Sequence, residues 1–332
     1  MLSQKIKALL ATARIANVPS VVSNVFTGIF LAITHYINPE WDRYTIFPIL
    51  ASICLYIAGN FLNDWYDTAW DLKNRPERAI PSGLFARSRY LSIAIILAIC
   101  GLCLVLSISY SVTIIYTLIA MLVVLYTLLH KKHSYSIWIM GACRGGLYLM
   151  GIAAMVPGNP FAQFFAQFFV CDYSIDGFIS SAWLPLPVLG LICYIAGISL
   201  MARYESSSHE LPNGFKIFAS MLLLLPCMTH SCLLLERLYK LPGIVEGRPY
   251  AVLGILPFLA YTGWAIWRNA CVGKKVGRFL AGIPLVDSVF VFCLCLGLFE
   301  DPYFFEKYAM IPLIPILCFF SALLLQKIAP AT

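Results

Sequence analysis

Long apolar runs separated by short polar turns set the architecture of the chain. Runs near 16–35, 46–63, 88–108, 111–130, 136–156, 183–203, 214–236, 249–268, 277–299 and 309–327 are long enough, or nearly so, to cross a bilayer, which takes an α-helix of about 20 apolar residues. A transmembrane β-barrel would instead show short segments of alternating polarity. The pattern predicts an all-α fold, a polytopic membrane helical bundle of nine to ten transmembrane helices. No low-complexity linker or composition shift interrupts it, so residues 1–332 read as a single domain.

Composition agrees with the pattern. Of 332 residues 61% are hydrophobic and only 12% charged, with a mean hydropathy of +0.83, whereas a soluble globular chain is roughly a quarter charged. The formal charge of +7 does not point to nucleic acid, because the basic residues are scattered through short loops. Their natural roles are topology and contact with membrane lipid or diphosphate. With the N-terminus inside, Lys73, Arg75, Arg78, Arg87, Arg89, Lys131, Lys132, Arg203, Lys216, Lys274, Lys275 and Arg278 all fall in cytoplasmic loops. The loop 236–248 breaks the trend with Arg237, Lys240 and Arg248. A bacterial inner membrane is the default compartment, with an organelle membrane as the alternative. Most of the twelve cysteines lie in apolar runs, where they behave as small hydrophobes, and no Cys/His set has zinc spacing. The N-terminal stretch lacks a short apolar core with a cleavage site, so it reads as a mature cytoplasmic end.

The chemistry concentrates in residues 60–83, NFLNDWYDTAWDLKNRPERAIPSG, at the end of the second run. Asn63, Asp67 and Asp71 recur every four residues, which places them on one helical face, with Asp64 beside them. Stacked carboxylates repel unless a cation sits between them. Oxygen ligands of this kind suit Mg²⁺, which binds through a few carboxylates plus substrate phosphates. The bland alternative is a solvated, mixed-charge loop end. A second spaced acidic pair, Asp172 and Asp176, lies in the 157–182 loop on the opposite predicted side, so it cannot share that metal.

Asn63, Asp67, Asp71, Asn74, Arg75, Pro76, Arg78, Pro81, Ser82 and Gly83 together resemble the first signature of the UbiA superfamily of intramembrane prenyltransferases. Ala79 stands where that family often has a second proline. Arg14, Asn17 and Pro19 are similar to the family's opening of the first span, Tyr126, Thr127 and Lys131 to its Tyr-Ser/Thr…Lys element, and Arg144 with Gly145, Gly146 and Gly151 to its Arg…Gly element. The resemblance covers the first six spans. It departs in the second acidic motif, where the sequence SLMARYESSSHELPNG offers Glu205 and then His209 in place of paired aspartates. His209 is a poor Mg²⁺ ligand, since that ion prefers oxygen. In this the chain resembles the UbiA-like EboC proteins of bacterial ebo clusters.

The resemblance implies Mg²⁺-dependent transfer of a prenyl group from an isoprenyl diphosphate donor to a small acceptor, aromatic or another hydrophobic ring. It implies a metal held by Asp67, Asp71 and Glu205. It implies a diphosphate clamp of Arg14, Arg75, Arg78 and Arg203, and catalytic roles for Asn63, Asp67, Asp71, Lys131 and Arg144. The alternative is a non-catalytic isoprenoid-binding or transport component that keeps the diphosphate site. Each residue has a plainer reading. Arg14 also serves as an interfacial anchor, and Lys131 as one more inside-positive charge, whereas Arg144, about nine residues into its span, is costly unless it faces a cavity or a partner. His130 and His209 read as interfacial. Asp287, well inside the ninth span, has no assigned role, and a buried polar partner is its natural complement.

Overall fold

The computed structural model describes residues 2–33, 45–155, 185–203, 213–240, 248–294 and 310–329, and every regular element among them is helical. The helices are α1 (Leu2–Thr12), α2 (Val18–Ile33), α3 (Ile46–Tyr66), α4 (Thr68–Asn74), α5 (Arg87–Leu106), α6 (Tyr110–Leu129) and α7 (Ser136–Met155). They continue with α8 (Pro185–Ala202), α9 (Asn213–Lys240), α10 (Arg248–Trp267), α11 (Val272–Ala281), α12 (Ile283–Leu294) and α13 (Leu313–Ile328). Among the described residues, each of the ten apolar runs coincides with helical structure. Among the described residues eight spans are long and apolar enough to cross a membrane, and Leu253–Trp267 and Leu313–Ile328 are shorter apolar helices. The fold is a polytopic helical bundle, as the hydropathy pattern predicts.

The ninth run is one span made of two helices. Its backbone pauses at Gly282 between α11 and α12, with Pro284 in the first turn of α12. Proline lacks an amide hydrogen and is tolerated there because the first turn has no intrahelical partner for one. The short α1, with Lys5 and Lys7 exposed or nearly so, precedes the first span and is too short to cross. Between α1 and α2 the chain turns through Arg14, which holds a left-handed conformation at φ 46°. Such a conformation costs an L-residue free energy and persists only where surroundings impose it.

Helix α2 is the central post, with nearly every residue buried. One apolar cluster joins it to α3, α5, α6 and α7, and a second joins it to α7, α8, α10, α12 and α13. Helices α2 and α7 therefore serve both halves of the bundle. Lipid tails are as apolar as leucine, so close packing rather than hydrophobic exclusion drives such helices together. Glycine makes that packing possible. A Cβ on Gly28 would run into the backbone of Tyr148, and one on Gly151 into the backbone of Val25 and Ile29. The outer faces of α5 and α6 carry exposed Ile95, Ile96, Ile99, Met121 and Leu125, the apolar surface that a bilayer covers.

Overpacking costs roughly 1–3 kcal/mol even in forgiving cores, and here the clash is with backbone. Gly151→Val is therefore expected to lower the melting midpoint of the detergent-purified protein clearly. Gly214→Ala, where a Cβ meets nothing within 4 Å, should leave it unchanged. Equal shifts in the two variants would contradict the α2–α7 contact.

Candidate functional site

The acidic stripe forms where α3 gives way to α4. The break is slight: the Asp67 amide donates to the Asn63 carbonyl and the Asp71 amide to the Asp67 carbonyl, both at 2.9 Å. The i to i+4 register thus survives the change of helix, which keeps Asn63, Asp67 and Asp71 in line. Both carboxylates are buried, at 5% and 2% exposure. The chain then doubles back through Pro76 to Gly83, whose φ of +76° suits a residue without a side chain.

Asp67 is surrounded by donors, two of them from another part of the chain. Its Oδ2 accepts from Lys131 Nζ at 2.9 Å, His130 Nε2 at 3.2 Å and Asn63 Nδ2 at 3.3 Å. All three reach the same oxygen. Burial pushes the Asp67 carboxyl up, but the hydrogen bonds and charges of His130 and Lys131 outweigh it and hold the group below its ordinary value. The Lys131 ammonium also sits 3.8 Å from the centre of the Trp70 ring, a cation–π contact that fixes it over α4.

Asp71 is less well served. Arg78 Nη1 reaches its Oδ2 at 3.0 Å and shares itself with Asp64 Oδ1 at 3.1 Å. Asp64 in turn accepts from Thr12 Oγ1 at 3.3 Å, and that hydroxyl lies 3.0 Å from the Tyr90 hydroxyl, which ties α1 and α5 to the acidic turn. Burial pushes the Asp71 carboxyl up, and the cations of Arg78 and Lys131 offset this only in part. Asp71 Oδ1 and Asn63 Oδ1 are both buried and unpartnered among the described residues. Two orphaned oxygens on one face, beside Asp67, are the donor type a hard divalent cation takes. Among the described residues no three His, Cys, Asp or Glu side chains converge as a metal cage. The set fits Mg²⁺ that completes its shell with water and substrate phosphate, the usual habit of that ion.

The remaining candidates fall around this centre. Arg203 Nη1 donates to the carbonyls of His130 and His133 at 2.8 Å and to Ser136 Oγ at 3.2 Å, so it fastens the α6–α7 turn that carries Lys131. Arg14 and Arg75 make no ion pair among the described residues. The Tyr126 ring stacks on His130, with ring centres 5.2 Å apart. Glu205 and His209, the altered second motif, lie outside the described residues, as do Asp172 and Asp176. The likeness to EboC therefore rests on the sequence alone.

Arg144 belongs to a second, deeper polar centre. It sits eight residues into α7, roughly 12 Å below the α6–α7 turn at 1.5 Å per residue. Its guanidinium lies 5.1 Å from the Tyr56 ring centre, and Nη1 donates to Ser20 Oγ at 3.1 Å and Asn24 Oδ1 at 3.2 Å. The Ser20 hydroxyl gives its own proton to the Asn17 carbonyl at 2.6 Å, which leaves its lone pairs to the arginine. Sequence reasoning assigned no role to Trp70, Tyr56 or Asn24 and set His130 aside. Of these only His130 carried a legible signal, its place beside Lys131 at a span end.

Because Asp67 titrates lower folded than unfolded, it stabilises the fold above about pH 4, the ordinary aspartate value. That contribution is lost as pH falls through the lower folded value. Asp67→Asn should therefore lower the melting midpoint at pH 7 in the absence of metal, and by progressively less as the pH falls below 4. A penalty that does not change with pH would contradict the pairing with His130 and Lys131.

The chain matches the UbiA prenyltransferase family over residues 21–275. It is 23% identical over 295 residues to the digeranylgeranylglyceryl phosphate synthase of Korarchaeum cryptofilum (strain OPF8), an alignment covering 84% of this chain and 94% of that one. Two solved structures share its fold. One, from work on the biosynthesis of digeranylgeranylglyceryl phosphate synthase in membranes, superposes with a TM-score of 0.55 at 20% identity over 89% of this chain and 99% of the other. The other, the apo structure of a UbiA homologue from Aeropyrum pernix K1, does so with a TM-score of 0.52 at 14% identity over 80% and 94%. The family match spans most of the chain and coincides with the bundle that holds the acidic turn, so this protein belongs to the UbiA prenyltransferase family and is an integral membrane enzyme that transfers a prenyl group to an acceptor.

Proposed function

We propose that the protein catalyses Mg²⁺-dependent transfer from an isoprenyl diphosphate to a hydrophobic acceptor with an anionic head, at a site on the cytoplasmic face. The observation that carries this is the buried Asp67–Asp71 pair, with Lys131 and Arg78 anchored on it and unpartnered oxygens left on Asp71 and Asn63. The basic loops gathered at the same end of the bundle support the cytoplasmic orientation.

Asp67, Asp71 and Asn63 would hold Mg²⁺, with Glu205 as the candidate ligand from the second motif. Held there, it would supply Lewis-acid neutralisation of the leaving diphosphate. As the allylic C–O bond breaks, its electron pair passes to the diphosphate, and cations aimed at that growing charge stabilise the transition state more than the ground state. Lys131 and Arg78 are the cations already anchored at the carboxylates. Arg14 and Arg75, without an ion pair among the described residues, are available to phosphate oxygens. Arg203 contributes by holding the α6–α7 turn, and Lys131 with it, in place. The acceptor's nucleophilic atom then bonds to the allylic carbon and its proton leaves to water or a base. Arg144, with one nitrogen engaged among the described residues, keeps donors for the acceptor's anionic group. The apolar bundle keeps water from the developing carbocation.

The relatives' name specifies a glyceryl phosphate bearing two geranylgeranyl groups, which makes a singly prenylated glyceryl phosphate the first acceptor to offer and an aromatic carboxylic acid the second. The test is diphosphate release and prenylated product from purified protein supplied with geranylgeranyl diphosphate, each acceptor in turn, and Mg²⁺ or EDTA. Product with either acceptor, lost in EDTA and reduced at least about a hundredfold in Asp67→Ala and Asp71→Ala, is the expected result. Donor binding without Mg²⁺-dependent release would overturn the metal-assisted reading.

A further inference from the structure

The centre around Arg144 contains an acid that the reaction does not use. Asp287, on α12, is fully buried. Asn24 Nδ2 donates to its Oδ1 at 2.9 Å and to its Oδ2 at 3.0 Å, and the Tyr148 hydroxyl also donates to Oδ1. The same Asn24 presents its Oδ1 to Arg144. An amide has one donor end and one acceptor end. A carboxylate can only accept and a guanidinium can only donate, so these two neighbours fix the amide in one orientation. Asp287 takes the NH₂, which obliges the oxygen to face the arginine.

We infer that Asp287 is a positioning residue: through the Asn24 amide it holds the Arg144 guanidinium in place and supplies its countercharge from the far half of the chain. The inference rests on reading Arg144 as the group that holds the acceptor's head. The contact through Asn24 offsets a buried cation while engaging only its Nη1 among the described residues, and a buried charge left uncompensated is strongly unfavourable. Asp287→Asn breaks the logic. With Tyr148 donating to the oxygen of the new amide, the NH₂ group of that amide would face the NH₂ group of Asn24. Asn24 is then driven to turn over and set its own NH₂ against Arg144. Exchanging the two residues restores a matched chain of donors and acceptors. A carboxylate at position 24 accepts both from Arg144 and from an amide at position 287, while Tyr148 still donates to that amide's oxygen.

Two measurements decide the inference. The first needs no substrate: melting midpoints of detergent-purified wild type, Asp287→Asn, Arg144→Met and the double variant. Asp287→Asn is expected to lower the midpoint in the wild type, and to raise it or leave it unchanged beside Arg144→Met, where the acid has lost its cation. An equal loss in both backgrounds would mean that Asp287 only packs, and would overturn the inference. The second is steady-state kinetics with geranylgeranyl diphosphate and geranylgeranylglyceryl phosphate. Asp287→Asn should raise the acceptor KM about tenfold with the donor KM unchanged, the mark of lost acceptor binding. The exchanged pair Asn24→Asp/Asp287→Asn should return most of that loss. A donor KM that rises in step, or no recovery in a folded exchanged pair, would overturn the positioning role. Absence of turnover in the wild type with every acceptor would count against the proposed function, and the melting cycle would still decide the coupling.

Discussion

A carboxylate withdrawn from water at the edge of a membrane has to be neutralised, and the arrangement of this bundle follows from how that is done. Asp67 and Asp71 sit at the end of α3 and in α4 with almost no exposure. Asp67 is answered by Lys131 and His130 from the α6–α7 turn, and that turn is fastened by Arg203 from the end of α8. Asp71 is answered by Arg78 from the loop that doubles back beside it. The compensation is uneven. Asp67 is held firmly ionised, whereas Asp71 keeps an oxygen with no partner among the described residues. The proposed metal site makes use of this imbalance, because full internal pairing would leave nothing for a cation to stabilise.

The same logic recurs deeper in the bundle. Arg144 and Asp287 lie in apolar surroundings, joined through one amide. Helices α2 and α7, which meet backbone to backbone at Gly28 and Gly151, carry Asn24 and Arg144. The close packing that holds the bundle together also sets the distance across which the amide relays the charge. The bundle thus holds two polar centres at different depths. On the proposed reading the outer one takes the diphosphate and the inner one the acceptor head, with apolar helix faces around them for the prenyl chain.

Much of this was legible in the sequence, for physical reasons that differ from residue to residue. Apolar runs of bilayer length can hardly be anything but spanning helices, and all ten coincide with helical structure among the described residues. The alignment of Asn63, Asp67 and Asp71 follows from helical period alone, and it persists because the hydrogen bonding runs through the α3–α4 break. Arg144 announced itself because a charge in an apolar run needs a reason. What could not be read were the partners. His130 looked interfacial because its acceptor lies 63 residues away. Asp287 lacked a role because its partner Asn24, an ordinary polar residue in the first span, is 263 residues distant. Local pattern shows which side chain needs a partner, and only the packing shows which one it has.

The most direct measurement is an experimental structure of the protein with Mn²⁺ in place of Mg²⁺ and a non-hydrolysable geranylgeranyl thiodiphosphate, using the anomalous signal of manganese to locate the metal. The expected result is a metal ion bound by Asp67 and the unpaired oxygen of Asp71, bridging to the diphosphate with Lys131 and Arg78 alongside. A diphosphate held by the basic residues with the metal elsewhere, or with no metal at all, would contradict the claim that this carboxylate pair is the catalytic metal site.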